Sequence, residues 1–304
     1  MDAGILSVDT ISTYPYLLGS DLIFQNGFIM LIDPQNAETM FVVDTRTGQK
    51  AYYSMSDSLM GLDPAVFPFS FYHSATGIYY QYTLQNGHLT ITKQNFRFRE
   101  VSIKRVKQIS KDRYVTLGLF RKGLFGLYNT KKPKTMTYHG HYPLSVPIPF
   151  DKNGTELIVQ RFQGQMDYSD ENERAVYGSY TFAYISCYKL SGSKLKLKWE
   201  HHILPPPEVS IVKGSFELDT VSTRGGFTDV KIAGDYIFAL YAQRDRAIHA
   251  SVLERKLLVF DMNGVCIATY PIDFSLYGIE VDLAEKSIYG VSRSDDPVIV
   301  QLRF

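Results

Sequence analysis

Only one of the 304 residues is tryptophan and only two are cysteine, Cys187 and Cys266. Two thiols cannot build a disulfide framework, and by themselves they cannot make a zinc site. Both lie in apolar runs of strand character, Tyr184–Tyr188 and Val265–Ile267, which predicts two buried free thiols. Charge of one sign is also lacking: 32 Lys and Arg stand against 31 Asp and Glu, a formal net charge of +1. Such a chain has no global attraction to nucleic acid or to an anionic membrane. No apolar run reaches the length of a membrane span. Residues 1–30 lack the basic start and apolar stretch of a secretory leader, so either the protein is cytoplasmic or its leader lies outside this sequence. Gly-x-Ser-x-Gly, Walker-type and Gly-x-Gly-x-x-Gly motifs are missing too.

What is present in excess is aromatic: 22 Tyr and 19 Phe. These residues favour pleated, half-buried surfaces. Helical periodicity is nearly absent. Runs of five to nine residues instead alternate in polarity and stop at Gly, Asn, Asp or Pro, as in Phe28–Ile32, Met40–Val43, Tyr236–Tyr241 and Leu257–Phe260. An immunoglobulin-type sandwich needs only about 100 residues, and no linker divides this chain. One propeller uses the whole length. Its clearest blade is Gly226–Ile272, with strands Phe227–Ile232, Tyr236–Arg244, Lys256–Phe260 and Val265–Ile272. The last pair is joined by the turn Asp261-Met262-Asn263-Gly264. Comparable units start near Asp21, Phe67, Lys104, Leu157 and Tyr277. Their later turns recur at Asp44–Gly48, Asn129–Pro133 and Leu190–Ser193, while Gln85-Asn86-Gly87 falls one strand early in the second unit.

The last unit supplies three strands, Leu276–Asp282, Lys286–Arg293 and Pro297–Phe304. The orphan segment Ile5–Ile11 is its missing fourth strand, a pairing that removes two sheet edges. The expected fold is therefore all-β: a single domain, 1–304, forming one six-bladed β-propeller of four-stranded antiparallel blades, the last closed by the N-terminal strand.

The stretch Gly226-Phe227-Thr228-Asp229-Val230, Tyr236–Tyr241, Leu258–Gly264, Ile279–Asp282 and Ser287–Gly290 resembles the TolB-like six-bladed propeller lipoproteins of Bacteroides-type bacteria. Gly140-His141-Tyr142-Pro143 and Lys111–Val115 look like family elements as well. The resemblance implies a cell-envelope location and a lipid anchor in the full precursor, although no lipobox cysteine stands in this chain. It also departs from the family's Gly-x-Gly-Pro-x-Glu-Phe element, which here reads Gly61–Phe67 with Asp63 and Val66 in place of Gly and Glu.

Several groups have the composition of sites. His139-x-His141 has the spacing that puts two imidazoles on one strand face, as a metal pair needs, but with no third ligand in sequence it reads as a strand entering a turn. His201-His202 point to opposite faces and read as packing or surface. Asp167, Asp170, Glu171 and Glu173 offer oxygen ligands for Ca²⁺, yet without a calcium-loop glycine they read as a solvated insertion. Arg97, Arg99, Lys104, Arg105, Lys107, Lys111 and Arg113, with Phe96 and Phe98 interleaved, have the composition of a single-strand or sugar binder but read as ordinary half-buried strand patterning.

Long loops on a rigid scaffold are the stronger clue. Ser54–Ala65, Leu204–Gly225 and Asp245–Glu254 should share one face. The expected ligand-binding rim is Arg224, Phe227, Asp229, Arg244, Arg246, His249 and Tyr277. The reading is a non-catalytic binding or scaffold protein without a cofactor. Its partner is a protein or an extracellular small molecule or glycan, not nucleic acid. The rival is a hydrolase or lyase with Ca²⁺ or another metal at the central funnel.

Overall fold

The computed structural model describes residues 7–13, 21–32, 39–54, 63–86, 88–96, 102–132, 136–144, 159, 161–205, 209–212, 215–218, 225–244, 252–292 and 298–304. Strand β1 (Ser7–Thr13) precedes the first blade, which is β2 (Asp21–Gln25), β3 (Phe28–Ile32), β4 (Thr39–Asp44) and β5 (Lys50–Ser54). Blade two shows three strands among the described residues, β6 (Phe69–His73), β7 (Ile78–Gln85) and β8 (His88–Asn95). Blade three is β9 (Ile103–Ser110), β10 (Arg113–Gly118), β11 (Phe125–Asn129) and β12 (Met136–His139). Blade four is β13 (Gly164–Ser169), β14 (Arg174–Ser179), β15 (Tyr184–Ser191) and β16 (Lys194–His202). A separate hairpin, β17 (Val209–Val212) with β18 (Ser215–Leu218), leads to blade five: β19 (Gly225–Ala233), β20 (Tyr236–Arg244), β21 (Val252–Asp261) and β22 (Cys266–Pro271). Blade six is β23 (Leu276–Asp282), β24 (Ser287–Ser292) and β25 (Val298–Arg303), completed by β1.

These six antiparallel sheets make the chain a six-bladed β-propeller. Blades three to five belong to one compact unit, and blades one, two and six to another. The closing pair runs antiparallel from Ser7↔Arg303 to Thr13↔Val298, with one irregularity between Thr10 and Ser12.

Within each unit, successive side chains of a strand enter two different cores, because neighbouring residues point to opposite sheet faces. In blade four, Tyr177, Tyr184 and Tyr188 pack toward Val115, Phe125 and Leu127 of blade three. Val176, Ile185 and Cys187 pack toward Phe227, Val230, Ile237 and Phe260 of blade five. Blade one does the same in the other unit, sending Met30 and Val42 toward Phe69, Phe71 and Tyr82 and Ile29, Leu31 and Val43 toward Tyr289 and Val291. Hence β3 and β24 are buried at every position. Each large apolar side chain so covered contributes about 1.5–3 kcal/mol.

The turns follow local chemistry. Asn26 and Gly27 both take positive φ between β2 and β3, the backbone that a two-residue hairpin requires. Asp261 closes the β21–β22 turn by accepting from the amides of Asn263 (2.9 Å) and Val265 (2.8 Å).

Three expectations need correction, and a fourth holds. Blade four begins at Gly164, not near Leu157; the preceding Val159 and Phe162 instead fold into a turn and are buried. The Leu204–Gly225 segment is not wholly loop, since it carries the β17–β18 hairpin. The turn after Gln85 falls one strand early, as expected, joining the second and third strands of a blade whose described residues include three. Cys187 is buried as expected, but Cys266 is exposed. It opens β22, the last strand of its sheet, where only Ala268 and Tyr270 are buried.

Candidate functional site

The unit formed by blades three to five brings the starts of its first strands, β9, β13 and β19, close together. Two glycines allow this. A Cβ on Gly178 would meet Val230 and Phe227 at 2.7 and 2.8 Å, and one on Gly226 would meet the Tyr180 carbonyl oxygen at 2.1 Å. Only hydrogen fits between Gly178 and the Val230 and Phe227 side chains, and between Gly226 and the Tyr180 backbone, so the β14–β15 connection seats Tyr180 against the beginning of β19. Ser179 Oγ fixes that connection by accepting from the amide of Phe182 at 3.2 Å.

Arg105 sits at this end of β9. Its Nε donates to Gln165 Oε1 of β13 (2.7 Å), Nη1 to the Lys104 carbonyl (3.0 Å) and Nη2 to the Tyr180 hydroxyl (3.4 Å). The guanidinium is therefore positioned by three groups, and the Tyr180 ring beside it is 37% exposed. A fixed cation next to an open aromatic is a recognition element: it can hold an oxygen acceptor while the ring covers an apolar face.

Farther along the same strands lies Asp167, almost wholly buried. Lys107 Nζ is 2.8 Å from its Oδ1, and the Ile232 amide donates to its Oδ2 at 2.9 Å. Burial works to raise this carboxyl, yet Lys107, Lys231 and the Ile232 amide together hold it below the ordinary aspartate value. Asp167 is thus a tie between three blades rather than part of a solvated acidic loop. Asp170, Glu171 and Glu173 do lie at the β13–β14 turn.

The expected rim is only partly assembled. Phe227 is fully buried in the core between blades four and five, its ring 5.6 Å from that of Tyr241. Asp229 is buried, and its Oδ1 accepts from the Val230 amide at 2.9 Å. Arg244 ends β20 opposite Val252, at the same end of blade five as Gly225. Tyr277 belongs to β23 of the other unit. Arg224, Arg246 and His249 lie outside the described residues. Arg97, Phe98 and Arg99 do so as well, whereas Phe96 is buried edge-on to Tyr72 and Tyr79. Gln165 and Tyr180 escaped sequence reasoning because they lie 60 and 75 residues from Arg105 and belong to no motif.

The histidines separate into different roles. His139 Nε2 lies 3.1 Å from Thr137 Oγ1, whereas His141 Nε2 lies 3.2 Å from Glu200 Oε2, which also accepts from the Tyr184 hydroxyl at 2.7 Å. His201 donates to the Gly264 carbonyl (2.7 Å) while Trp199 donates to that of Met262 (3.1 Å), latching blade four onto the β21–β22 turn. Burial lowers the proton affinity of His139 and His202. Among the described residues, no three His, Cys, Asp or Glu side chains are grouped to hold a metal ion. No described helix is long and apolar enough to cross a membrane. Asp63 Oδ1 caps the turn Pro64–Val66 through the Ala65 amide at 2.8 Å, and Val66 is fully buried.

The fold is that of a six-bladed β-propeller, and the loop end of blades three to five presents polar and aromatic side chains. No protein-family model matches the chain, and no curated protein matches it. Solved structures do. A member of the DUF4221 family from Bacteroides vulgatus superposes with a TM-score of 0.57, covering 99% of this chain and 97% of that one at 10% identity. A Lactobacillus plantarum protein gives 0.50 over 91% and 79%, at 9% identity. At such identities the likeness is one of fold.

Proposed function

We propose that the chain is a non-catalytic binding propeller of the bacterial cell envelope, taking a protein partner or an extracellular glycan at the loop end of blades three to five. The observation that carries this reading is Arg105, held by Gln165, the Lys104 carbonyl and Tyr180 beside the open Tyr180 ring. Aromatic side chains bury much area for few lost rotamers, and arginine adds a planar fork of directed hydrogen-bond donors, so the two dominate recognition surfaces. The envelope assignment is supported by the resemblance of Gly226–Gly290 to the TolB-like lipoproteins.

The test is an array of glycans and envelope-protein peptides probed with wild type and with R105Q/Y180A. Tyr180 is exposed and Arg105 part-exposed, so the double variant should keep its melting temperature within about 2 °C. It should lose the features that wild type retains. Retention by the variant overturns the site. Turnover of a phosphate-ester, lactone or glycoside panel by wild type, abolished by chelation, overturns the non-catalytic reading in favour of a metal-dependent hydrolase.

A further inference from the structure

Blade four carries a second, unrelated concentration of charge. In β14, β15 and β16, Arg174 pairs directly with Lys189, and Lys189 directly with Lys196. Directly paired residues share a sheet face at about 5 Å per strand, so three cationic side chains form one row across the blade. Lys198 lies just beyond, in the irregularity where Cys187 pairs with Trp199 and Tyr188 with Leu197. Like charges placed directly opposite oppose the sheet that holds them. A protein normally relieves such a row with carboxylates. Among the described residues, none of the four makes an ion pair. Asp170, Glu171 and Glu173 stand in the β13–β14 turn and Asp235 in the β19–β20 turn, yet none reaches them.

A second observation is independent of the charge pattern. Arg174 Nε and Nη1 are buried with no hydrogen-bond partner. Buried guanidinium donors are ordinarily satisfied, because stripping them of water without replacement is costly. The face is also electrically positive at depth: the buried Cys187 thiol, pushed up to about 12 by burial, is pulled the other way by Arg174 and Lys198 together. Cations in register without carboxylate partners, with unsatisfied guanidinium donors at the inner end of the row, have the chemistry of an anion site.

We infer that Arg174, Lys189 and Lys196, with Lys198 at their flank, bind a doubly charged oxyanion, a phosphate monoester group. Three neighbouring positive charges on one sheet face match a dianion better than a single carboxylate, and a tetrahedral oxyanion supplies acceptors on several sides. Phosphate would satisfy the buried Arg174 donors while relieving repulsion along the row. This site is separate from the Arg105–Tyr180 surface and does not depend on it.

The experiment follows thermal unfolding and isothermal titration at low ionic strength, with inorganic phosphate, glucose 6-phosphate, and vesicles with or without phosphatidic acid. Phosphate should raise the melting temperature of wild type in proportion to the logarithm of its concentration. K189Q should respond with opposite signs. Without phosphate it should melt at or above wild type, because a like-charge contact is gone, and its phosphate affinity should fall by at least about tenfold. A variant that merely fails to fold cannot give that pair of results. A stronger response to glucose 6-phosphate than to inorganic phosphate assigns the source to a phosphorylated sugar. Equal responses to phosphate and chloride in wild type, an unchanged affinity in K189Q, or binding to acidic vesicles without any response to free phosphate would overturn the inference.

Discussion

At Asp167, one carboxylate joins three first strands: β13 carries it, β9 supplies Lys107 and β19 supplies the Ile232 amide. In the sequence it belongs to an acidic run ending at Glu173, and composition alone cannot separate the four members. Strand alternation does so in space, because Asp167 lies within β13 opposite Val176, whereas Asp170 lies beyond the strand's last pair. Its carboxyl is held below its unfolded value, so the stability it adds is present above about pH 4, the unfolded aspartate value, and is lost as pH falls through the lower folded value. Lys107 is 43% exposed, so solvent screens part of the pair. The D167N variant should lose about 1–3 kcal/mol at pH 7, chiefly through the buried acceptor. Urea unfolding at neutral pH and near pH 3 should show that gap narrowing in acid. A gap independent of pH would mean that packing, not charge, sets the cost.

The strand elements were largely legible because their signals are local. The blade-five turns at Ala233–Asp235 and Asp261–Gly264 fall where Gly, Asn and Asp dictate, and β19 to β22 follow from them. Errors arose where an apolar residue was not in a strand or where a strand had no neighbour on one side. Val159 and Phe162 are as apolar as strand residues, but they fill the core from a turn. Cys266 sits in a strand, yet in the outermost one, and exposure depends on sheet order, which no local pattern encodes. The N-terminal strand was legible by counting, since blade six lacked a fourth member, and the β1–β25 register bears this out. Deleting residues 1–13 removes that ladder and bares the β25 edge. Losing about 2 kcal/mol or more should lower the melting temperature by at least about 4 °C and promote aggregation, both measurable by calorimetry and light scattering. An unchanged melting point would show that the ladder contributes nothing to closure.

For the molecule as a whole, the class of fold was readable and the candidate site was not. Repetition of short alternating runs fixes a propeller, whereas Arg105 of blade three meets Gln165 and Tyr180 of blade four only because the two blades are stacked, and no spacing announces such a meeting. Phe227, chosen for a rim, is core for the same reason: position along a strand does not say which neighbour covers it. The β17–β18 hairpin tests how separable the scaffold is from its decoration. Replacing residues 206–222 by a short Gly-Ser linker should leave the melting temperature within about 3 °C, because loop length enters only logarithmically, at about 0.6 kcal/mol per doubling. It should also abolish retention on the ligand array; a large fall in melting temperature would show the hairpin to be packed structure. The direction of the β1–β25 pairing also governs how the protein meets mechanical load. Ser7 and Arg303 are partners, so the chain enters and leaves blade six at the same end of the ladder. Tension between the two termini would open that ladder like a zipper, one residue pair at a time, instead of shearing all its hydrogen bonds together. A propeller tethered at one end and pulled at the other would therefore yield first at this seam, at low force.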